Sequence, residues 1–203
     1  MAALTYAVGR YRTARTSVWS WADRLNWLNK AALAGLAACL IGLLAQVRIA
    51  LPWDPVPLTG QTFGVLLAGA LLGKRWGAFS LALYAALGLA GVPWFTGATG
   101  GLGITTGYII GFILAGLMLG YILDLRKSKT SFPTLFGLML AASLVIYLCG
   151  SLWLGAWMSL VMDKSVSVAY VFNLGVAPFI PSDILKAAAA AGLASALLPG
   201  KNS

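Results

Sequence analysis

An aspartate and a lysine three positions apart are the residues of this chain that are best placed to do chemistry. Asp183 and Lys186 follow the segment Pro178 to Ser182 and open an alanine-rich stretch that predicts a helix. Residues three apart share one helix face, so a carboxylate and an ammonium group would point the same way. Both charges are costly inside a membrane helix, which would indicate a binding function there. A helix-capping aspartate or a plain salt bridge is the alternative.

The composition of the chain predicts that lipid is its solvent. The 203 residues are 60% hydrophobic and only 9% charged, whereas a soluble domain carries roughly a quarter charged residues. Histidine is absent, which excludes histidine-based acid–base chemistry and zinc sites that use histidine. The chain has no P-loop, and a serine or threonine nucleophile would lack a histidine base. We therefore expect a membrane protein that is not an enzyme and that uses no metal or cofactor.

Apolar segments and basic clusters together predict an all-α membrane protein with six transmembrane helices and both termini in the cytoplasm. The expected spans are residues 28–49, 61–72, 76–92, 104–125, 135–162 and 183–198. The segment 61–72 would cover only about 18 Å, so the proline-rich loop before it is expected to dip into the membrane. Eleven of the fourteen Lys and Arg residues fall in segments that this topology assigns to the cytoplasm, as the positive-inside rule requires. The net charge of +9 therefore needs no nucleic-acid partner.

The chain divides into two regions of unequal size. Residues 1–27 are predicted to form a basic cytoplasmic tail with an interfacial segment, and residues 28–203 to form one transmembrane substrate-binding domain. In the first span, small residues recur four apart and would make a flat stripe for close helix packing. Packing inside this protein and contact with a partner helix are both open interpretations of that stripe. Its members are Ala31, Ala34, Gly35 and Ala38.

Further polar and glycine residues converge on the outer half of the membrane under this topology. Together with Asp183 and Lys186 they are the candidate substrate-binding residues. They are Arg48, Thr59, Gln61, Gly100, Gly101, Tyr108 and Asn173.

Three stretches of this chain carry a resemblance to a known family. They are Ala45 to Ile49 with Pro55 to Thr62, Gly91 to Phe95 with Thr105 to Tyr108, and Pro178 to Lys186. Together they resemble the BioY family, the biotin-binding S components of energy-coupling factor (ECF) transporters. The resemblance covers residues 31–198. The chain departs from the family before the fourth helix, where Gly-Ile-Thr-Thr-Gly-Tyr replaces Gly-Pro-Thr-Gly-Gly-Tyr and the loop is shorter.

The resemblance implies high-affinity capture of biotin at the outer side of a prokaryotic cell membrane, and its import by an ECF-type ABC transporter. It implies a transmembrane coupling subunit and two cytoplasmic ATPases as partners, with the small-residue stripe as the contact face. Asp183 would accept the ureido N–H groups of biotin, Lys186 would donate to the ureido carbonyl, and Arg48 would hold the carboxylate. The alternatives are an S component for another vitamin, an intramembrane enzyme and a ligand-free structural membrane protein.

Overall fold

The computed structural model describes Tyr6, residues 24–126 and residues 131–198. Most of the predicted basic tail and the basic residues Lys127, Lys129 and Lys201 lie outside the described residues. The described chain is mainly helical, and five of its helices are long and apolar enough to cross a membrane. The helices are α1 (Trp27–Gln46), α2 (Gln61–Leu89), α3 (Thr106–Leu125), α4 (Phe132–Leu160), α5 (Val168–Gly175) and α6 (Ile180–Leu197). A short hairpin pairs β1 (Arg48–Ile49) with β2 (Leu58–Thr59).

Helix α1 is shorter than the span 28–49 that the apolar run predicts. It is capped by Asn26, whose side chain accepts a hydrogen bond from the backbone of Asn29 at 2.9 Å. It ends at Gln46 because Val47 adopts an extended conformation and Arg48 pairs with Thr59 in the β-hairpin. Apolar character alone could not show this boundary, since an isoleucine suits a strand as well as a membrane helix.

Helix α2 reverses direction at Gly73 and forms two antiparallel arms, residues 61–72 and 74–89. Gly73 has a φ of 71° and a ψ of −176°, which is a non-helical conformation. A Cβ added to Gly77 would lie 2.9 Å from the carbonyl oxygen of Ala68. Nine residues of a continuous helix would separate these two positions by about 13 Å. The reversal therefore matches the two separate segments, 61–72 and 76–92, that the basic residues between them predict.

An aspartate from α3 holds the Gly73 turn in place. The Asp124 carboxylate accepts a hydrogen bond from the backbone of Lys74 at 3.2 Å. A side chain at Gly73 would meet that carboxylate, since an added Cβ would lie 2.9 Å from Oδ1. The Lys74 ammonium also lies 5.3 Å from the centre of the Tyr121 ring. These contacts place the α2 turn beside the end of α3.

Helices α2, α3 and α4 approach one another through glycines. A Cβ on Gly69 would lie 3.0 Å from the Cα of Gly116, and a Cβ on Gly107 would lie 2.7 Å from the Cys149 carbonyl oxygen. Such contacts suit a lipid environment, where close van der Waals packing rather than hydrophobic burial drives helix association. Large apolar side chains lie on the outer surface instead, as membrane helices require. Leu36, Leu43, Leu144, Leu152 and Leu185 are examples, each at least 66% exposed.

The small-residue stripe of α1 is divided between two faces. Ala34 and Ala38 have no accessible surface, and Ala38 belongs to the hydrophobic core. Ala31 is partly exposed, and a Cβ on Gly35 would meet nothing within 4 Å. The four residues therefore cannot form one external contact face, because two of them pack inside the protein. A spacing of four residues predicts that small residues lie along one stripe of a helix. It does not show which of them pack against the rest of the protein.

Candidate ligand-binding site

A cavity of about 50 Å³ lies where the first turns of α2, α3 and α6 meet the middle of α4. Two loops complete its wall, one from the β-hairpin and one between α2 and α3. The lining is apolar for the most part, with a few convergent polar side chains, which is typical of small-molecule sites. The lining residues are Val56, Pro57, Thr59, Gln61, Thr62, Phe95, Thr96, Thr105, Tyr108, Ile109, Phe112, Ile146, Tyr147, Phe179, Asp183 and Lys186.

Asp183, Lys186 and Tyr147 form a polar cluster at one end of the cavity. The Lys186 ammonium lies 2.7 Å from Oδ1 of Asp183, and the Tyr147 hydroxyl donates to Oδ2 at 2.8 Å. Lys186 also lies 3.3 Å from the hydroxyl of Ser182. Among the described residues, Asp183 is the only acidic or basic side chain that is buried. A charge so deep in the protein is tolerated because both carboxylate oxygens have a donor.

The start of α6 brings this cluster to the cavity. Pro181 lies in the first turn, where its missing N–H costs no helical hydrogen bond. Asp183 lies in the same turn, where the helix dipole favours a negative charge. The next turns carry alanines that are fully buried, and they let α6 approach α4 and α2 closely. These alanines are Ala187, Ala190, Ala191 and Ala194.

Gln61 is the centre of a second, uncharged polar cluster on the cavity wall. Its Nε2 donates to the Tyr84 hydroxyl at 2.7 Å. Its Oε1 accepts from the hydroxyls of Thr59 at 3.0 Å and Thr96 at 3.1 Å. The cluster joins the β-hairpin, α2 and the loop between α2 and α3. It fixes the orientation of the Gln61 amide, since the oxygen and the nitrogen each have a defined partner.

The loop between α2 and α3 covers one side of the cavity. The Phe95 ring is buried against Tyr84, with the ring centres 5.3 Å apart. The Trp94 indole N–H donates to the Tyr84 carbonyl oxygen at 3.0 Å. Gly97 and Ala98 both have positive φ angles, 81° and 55°. This conformation turns the loop back over the site.

Five of the predicted site residues meet in the cavity, and four lie elsewhere. Arg48 is exposed on β1, and its guanidinium occupies the space where a Cβ on Gly97 would stand. Gly100 and Gly101 shape the loop between α2 and α3 without lining the cavity. Asn173 is exposed on α5, away from the lining residues. The five that line the cavity are Thr59, Gln61, Tyr108, Asp183 and Lys186.

Sequence reasoning missed Tyr147, the residue that bonds directly to Asp183. It lies in the middle of a long apolar helix, 36 positions before its partner, where a tyrosine looks like an ordinary core residue. Phe112, in the apolar helix α3, was missed for the same reason, while Thr96 lies in a loop and Phe179 just before α6. The one usable signal was that a tyrosine hydroxyl inside a membrane helix needs a hydrogen-bond partner. That rule says nothing about which helix provides the partner.

Asp54, in the loop that joins β1 to β2, carries the one buried side-chain polar atom in the described chain that has no hydrogen-bond partner. Its Oδ1 accepts from the Val56 backbone at 2.8 Å, while Oδ2 is the unpartnered atom. Burial raises the pKa of this carboxyl, against the opposite effect of the Val56 hydrogen bond. Protonation therefore favours the packed loop. The contribution of Asp54 to the stability of the folded state is therefore full below the ordinary aspartate pKa, and it is lost as pH rises through the raised pKa.

The chain is similar to biotin transporters along nearly its whole length. The model of the BioY family matches residues 14–202. The "Probable biotin transporter BioY" of Pyrococcus horikoshii is 40% identical over 174 residues, which cover 83% of this chain and 96% of that protein. The protein of the same name from Methanothermobacter thermautotrophicus is 40% identical over 138 residues, 66% of this chain and 88% of that one. The "Biotin transporter BioY" of Rhodobacter capsulatus is 35% identical over 161 residues, 72% of this chain and 85% of the relative.

The fold is also similar to a solved structure. The crystal structure of the S-component for biotin from an ECF-type ABC transporter matches with a TM-score of 0.72 and 25% sequence identity. The match covers 84% of this chain and 90% of that chain. These similarities extend over the bundle that builds the cavity, and they agree with the resemblance found in the three sequence stretches. On this sequence and structural similarity, the chain belongs to the BioY family.

Proposed function

We propose that this protein captures biotin at the outer side of a prokaryotic cell membrane and acts as the substrate-specific S component of an ECF-type ABC transporter. The observation that carries the proposal is the buried cluster of Asp183, Lys186 and Tyr147 at the end of a mostly apolar cavity. The names of the relatives and of the solved S component support biotin as the ligand.

The hydrogen-bonding capacity of the cluster suits the ureido head of biotin, which has two N–H donors and one carbonyl acceptor. Each Asp183 oxygen accepts one hydrogen bond in this structure and has capacity for a second. The Lys186 ammonium has three donors, of which Asp183 and Ser182 take two. Two acceptor positions and one donor therefore remain for the ligand, which complements a cyclic urea.

The apolar body and the carboxylate of biotin would occupy the rest of the site. Phe95, Tyr108 and Phe179 provide aromatic walls, with the last two ring centres 6.2 Å apart. Arg48 is our candidate for the carboxylate, because its guanidinium lies beside Gly97 at the rim, next to the cavity residue Thr96. Thr59 and Gln61 would contribute neutral hydrogen bonds, and Gly100 and Gly101 would act through the loop shape alone. Asn173 has no part in this arrangement.

The proposed membrane topology has six spans, with the two arms of α2 counted separately and both termini in the cytoplasm. The Gly73 turn and the end of α3 lie together, which groups Lys74, Arg75 and Arg126 at one end of the bundle. The cavity lies at the other end, at the starts of α2 and α3. The positive-inside rule then assigns the basic end to the cytoplasm and the cavity to the outer side. Helix α5, with eight residues, would stay on the outer side.

The proposed partners are a transmembrane coupling subunit and two cytoplasmic ATPases, with the lipid bilayer around them and no cofactor. The open side of α1 around Gly35 is our candidate for the contact with the coupling subunit. It replaces the stripe of four residues, because Ala34 and Ala38 are buried.

Binding to the purified protein tests the proposed ligand. We expect biotin to bind with one site per chain by titration calorimetry and to raise the melting temperature, because a ligand that binds only the folded state stabilises it. A panel of other vitamins under the same conditions is the control and should give no heat. Binding of another vitamin in place of biotin would show a sister S component. Turnover of the bound ligand would show an enzyme.

Replacing Tyr147 with phenylalanine should weaken biotin binding by about tenfold. The change removes the hydroxyl that bonds Oδ2 of Asp183 and leaves the rest of the ring in place. A hydrogen bond to a charged group typically contributes about 1.5–3 kcal/mol, and tenfold in affinity corresponds to about 1.4 kcal/mol. Calorimetry measures the effect. Tyr170→Phe, at an exposed tyrosine on α5, is the matched control and should bind as the unchanged protein does. Equal affinity for both variants would contradict a role for Tyr147.

A further inference from the structure

The cavity has to widen before a ligand of ordinary size can enter, and the loop of residues 93–101 forms part of its wall. The cavity beneath it measures about 50 Å³, whereas small-molecule pockets typically measure about 300–1,000 Å³. Phe95 and Thr96 of this loop line the cavity directly. The contacts that hold this loop in place therefore affect access to the cavity.

Gln46, in the last turn of α1, makes side-chain hydrogen bonds to the loop. Its Oε1 accepts a hydrogen bond from the backbone of Ala98 at 3.0 Å. Its Nε2 lies 3.0 Å from the carbonyl oxygen of Phe95 and 3.3 Å from that of Trp94. The same nitrogen lies 3.2 Å from the Gly42 carbonyl oxygen of its own helix, which orients the amide toward the loop.

Ala98, whose backbone N–H donates to Gln46, has an unfavourable backbone conformation. Ala98 has a φ of 55°, which is uncommon for a residue other than glycine. A conformation of this kind persists only where its surroundings stabilise it. The amide of Gln46 provides part of that stabilisation, because it receives the Ala98 N–H and lies against the carbonyl oxygens that precede it.

We propose that Gln46 is a positioning residue that latches the 93–101 loop over the cavity and so sets how long a bound ligand stays. The identity of the ligand, biotin, rests on the proposed function. Gln46 does not line the cavity, so its effect is exerted through Phe95 and Thr96. Loss of the latch shortens the lifetime of the complex, because the closed loop is the state that must open for the ligand to leave.

The variant Gln46→Met removes the amide and keeps a side chain of similar length. Its matched control is Leu43→Met, at an exposed position of the same helix. We expect radiolabelled biotin to dissociate from purified Gln46→Met at least about tenfold faster, because several hydrogen bonds are lost together. The association rate should rise rather than fall, because the same loop opens for entry. Leu43→Met should match the unchanged protein in both rates.

Hydrogen–deuterium exchange of the ligand-free protein tests the latch without biotin. The backbone N–H groups of Phe95 and Gly101 donate to Thr99 and Gly88, and neither bonds to Gln46. Both should exchange faster in Gln46→Met if the loop opens as a unit. An unchanged dissociation rate, or faster exchange at Ala98 alone, would overturn the proposal. If the unchanged protein does not bind biotin, the proposed function fails while the exchange result still decides the latch.

A second variant covers the case in which Gln46→Met does not fold. Gln46→Asn keeps the amide but shortens the side chain by one methylene group, so the amide no longer reaches the loop. We expect it to show the same faster dissociation and the same faster exchange at Phe95 and Gly101. A Gln46→Asn protein that is folded and indistinguishable from the unchanged protein in both measurements would overturn the latch.

Discussion

Lys186→Met is expected to lower the affinity for biotin at least about tenfold. The variant loses the ammonium donor proposed for the ureido carbonyl. It also leaves Asp183 without its counter-ion at a position that is 4% exposed. Removing one partner of a buried ion pair leaves the other charge uncompensated, which is strongly unfavourable. One substitution therefore removes one ligand contact and disturbs the carboxylate that makes the others.

Asp183→Asn tests the other half of the pair and should lower the affinity for biotin by a similar factor. The amide keeps the shape of the side chain but replaces one acceptor oxygen with a donor nitrogen. It also leaves the Lys186 ammonium without its partner at 2.7 Å. The double variant should lose little more biotin affinity than either single variant, because the two residues act together.

Titration calorimetry of purified variants measures both losses. Lys164→Met is the matched control, since Lys164 is an exposed lysine outside the cavity and its removal should leave affinity unchanged. Melting temperatures of the ligand-free proteins separate lost binding from lost folding. Unchanged biotin affinity in folded Lys186→Met and Asp183→Asn proteins would refute the assignment of this pair to the ligand.

Gly35→Trp is expected to abolish biotin uptake while leaving biotin binding within about twofold. A Cβ at this position meets nothing within 4 Å, so the bulky ring would project from the open side of α1 and disturb nothing inside the protein. Close helix packing in a membrane depends on small residues, and a tryptophan at the contact would keep the coupling subunit away. Transport needs that contact under the proposed function, whereas capture of the ligand does not.

Ala34, next to Gly35, provides a control for which loss of biotin binding is expected. Ala34→Trp should lose both uptake and binding, because Ala34 has no accessible surface and an added indole must displace the packing between α1 and α2. Uptake is measured with radiolabelled biotin in cells that produce the coupling subunit and the ATPases as well. Normal uptake by Gly35→Trp would place the partner contact on a different face.

The two predictions separate capture from transport by using different regions of one small bundle. The Asp183 cluster lies at the start of α6, and Gly35 lies within α1. Helix α1 packs on α2, and its end carries Gln46, which holds the loop over the cavity. One helix is therefore proposed to meet the partner on its open side and to latch the site at its end.

Sequence reasoning succeeded where the physics is local to one segment. The lengths of the apolar runs predicted membrane-spanning helices, because a helix must be about 20 residues long to cross a bilayer. The basic pair Lys74 and Arg75 predicted the break within α2, since charges favour the membrane surface. The spacing of Asp183 and Lys186 predicted that the two side chains share one helix face, because residues three apart in a helix are neighbours. The structure has both on that face, joined by a 2.7 Å ion pair.

Tertiary structure alone decided which distant residues meet. Tyr147 reaches Asp183 from another helix, and Gln61 joins Tyr84 on the other arm of α2 and Thr96 in the following loop. Helical periodicity defines the faces of each helix but not the neighbour that each face meets. The faces of α1 show the same limit, because Ala34 and Gly35 are equally small in the sequence, while packing buries one and leaves the other open.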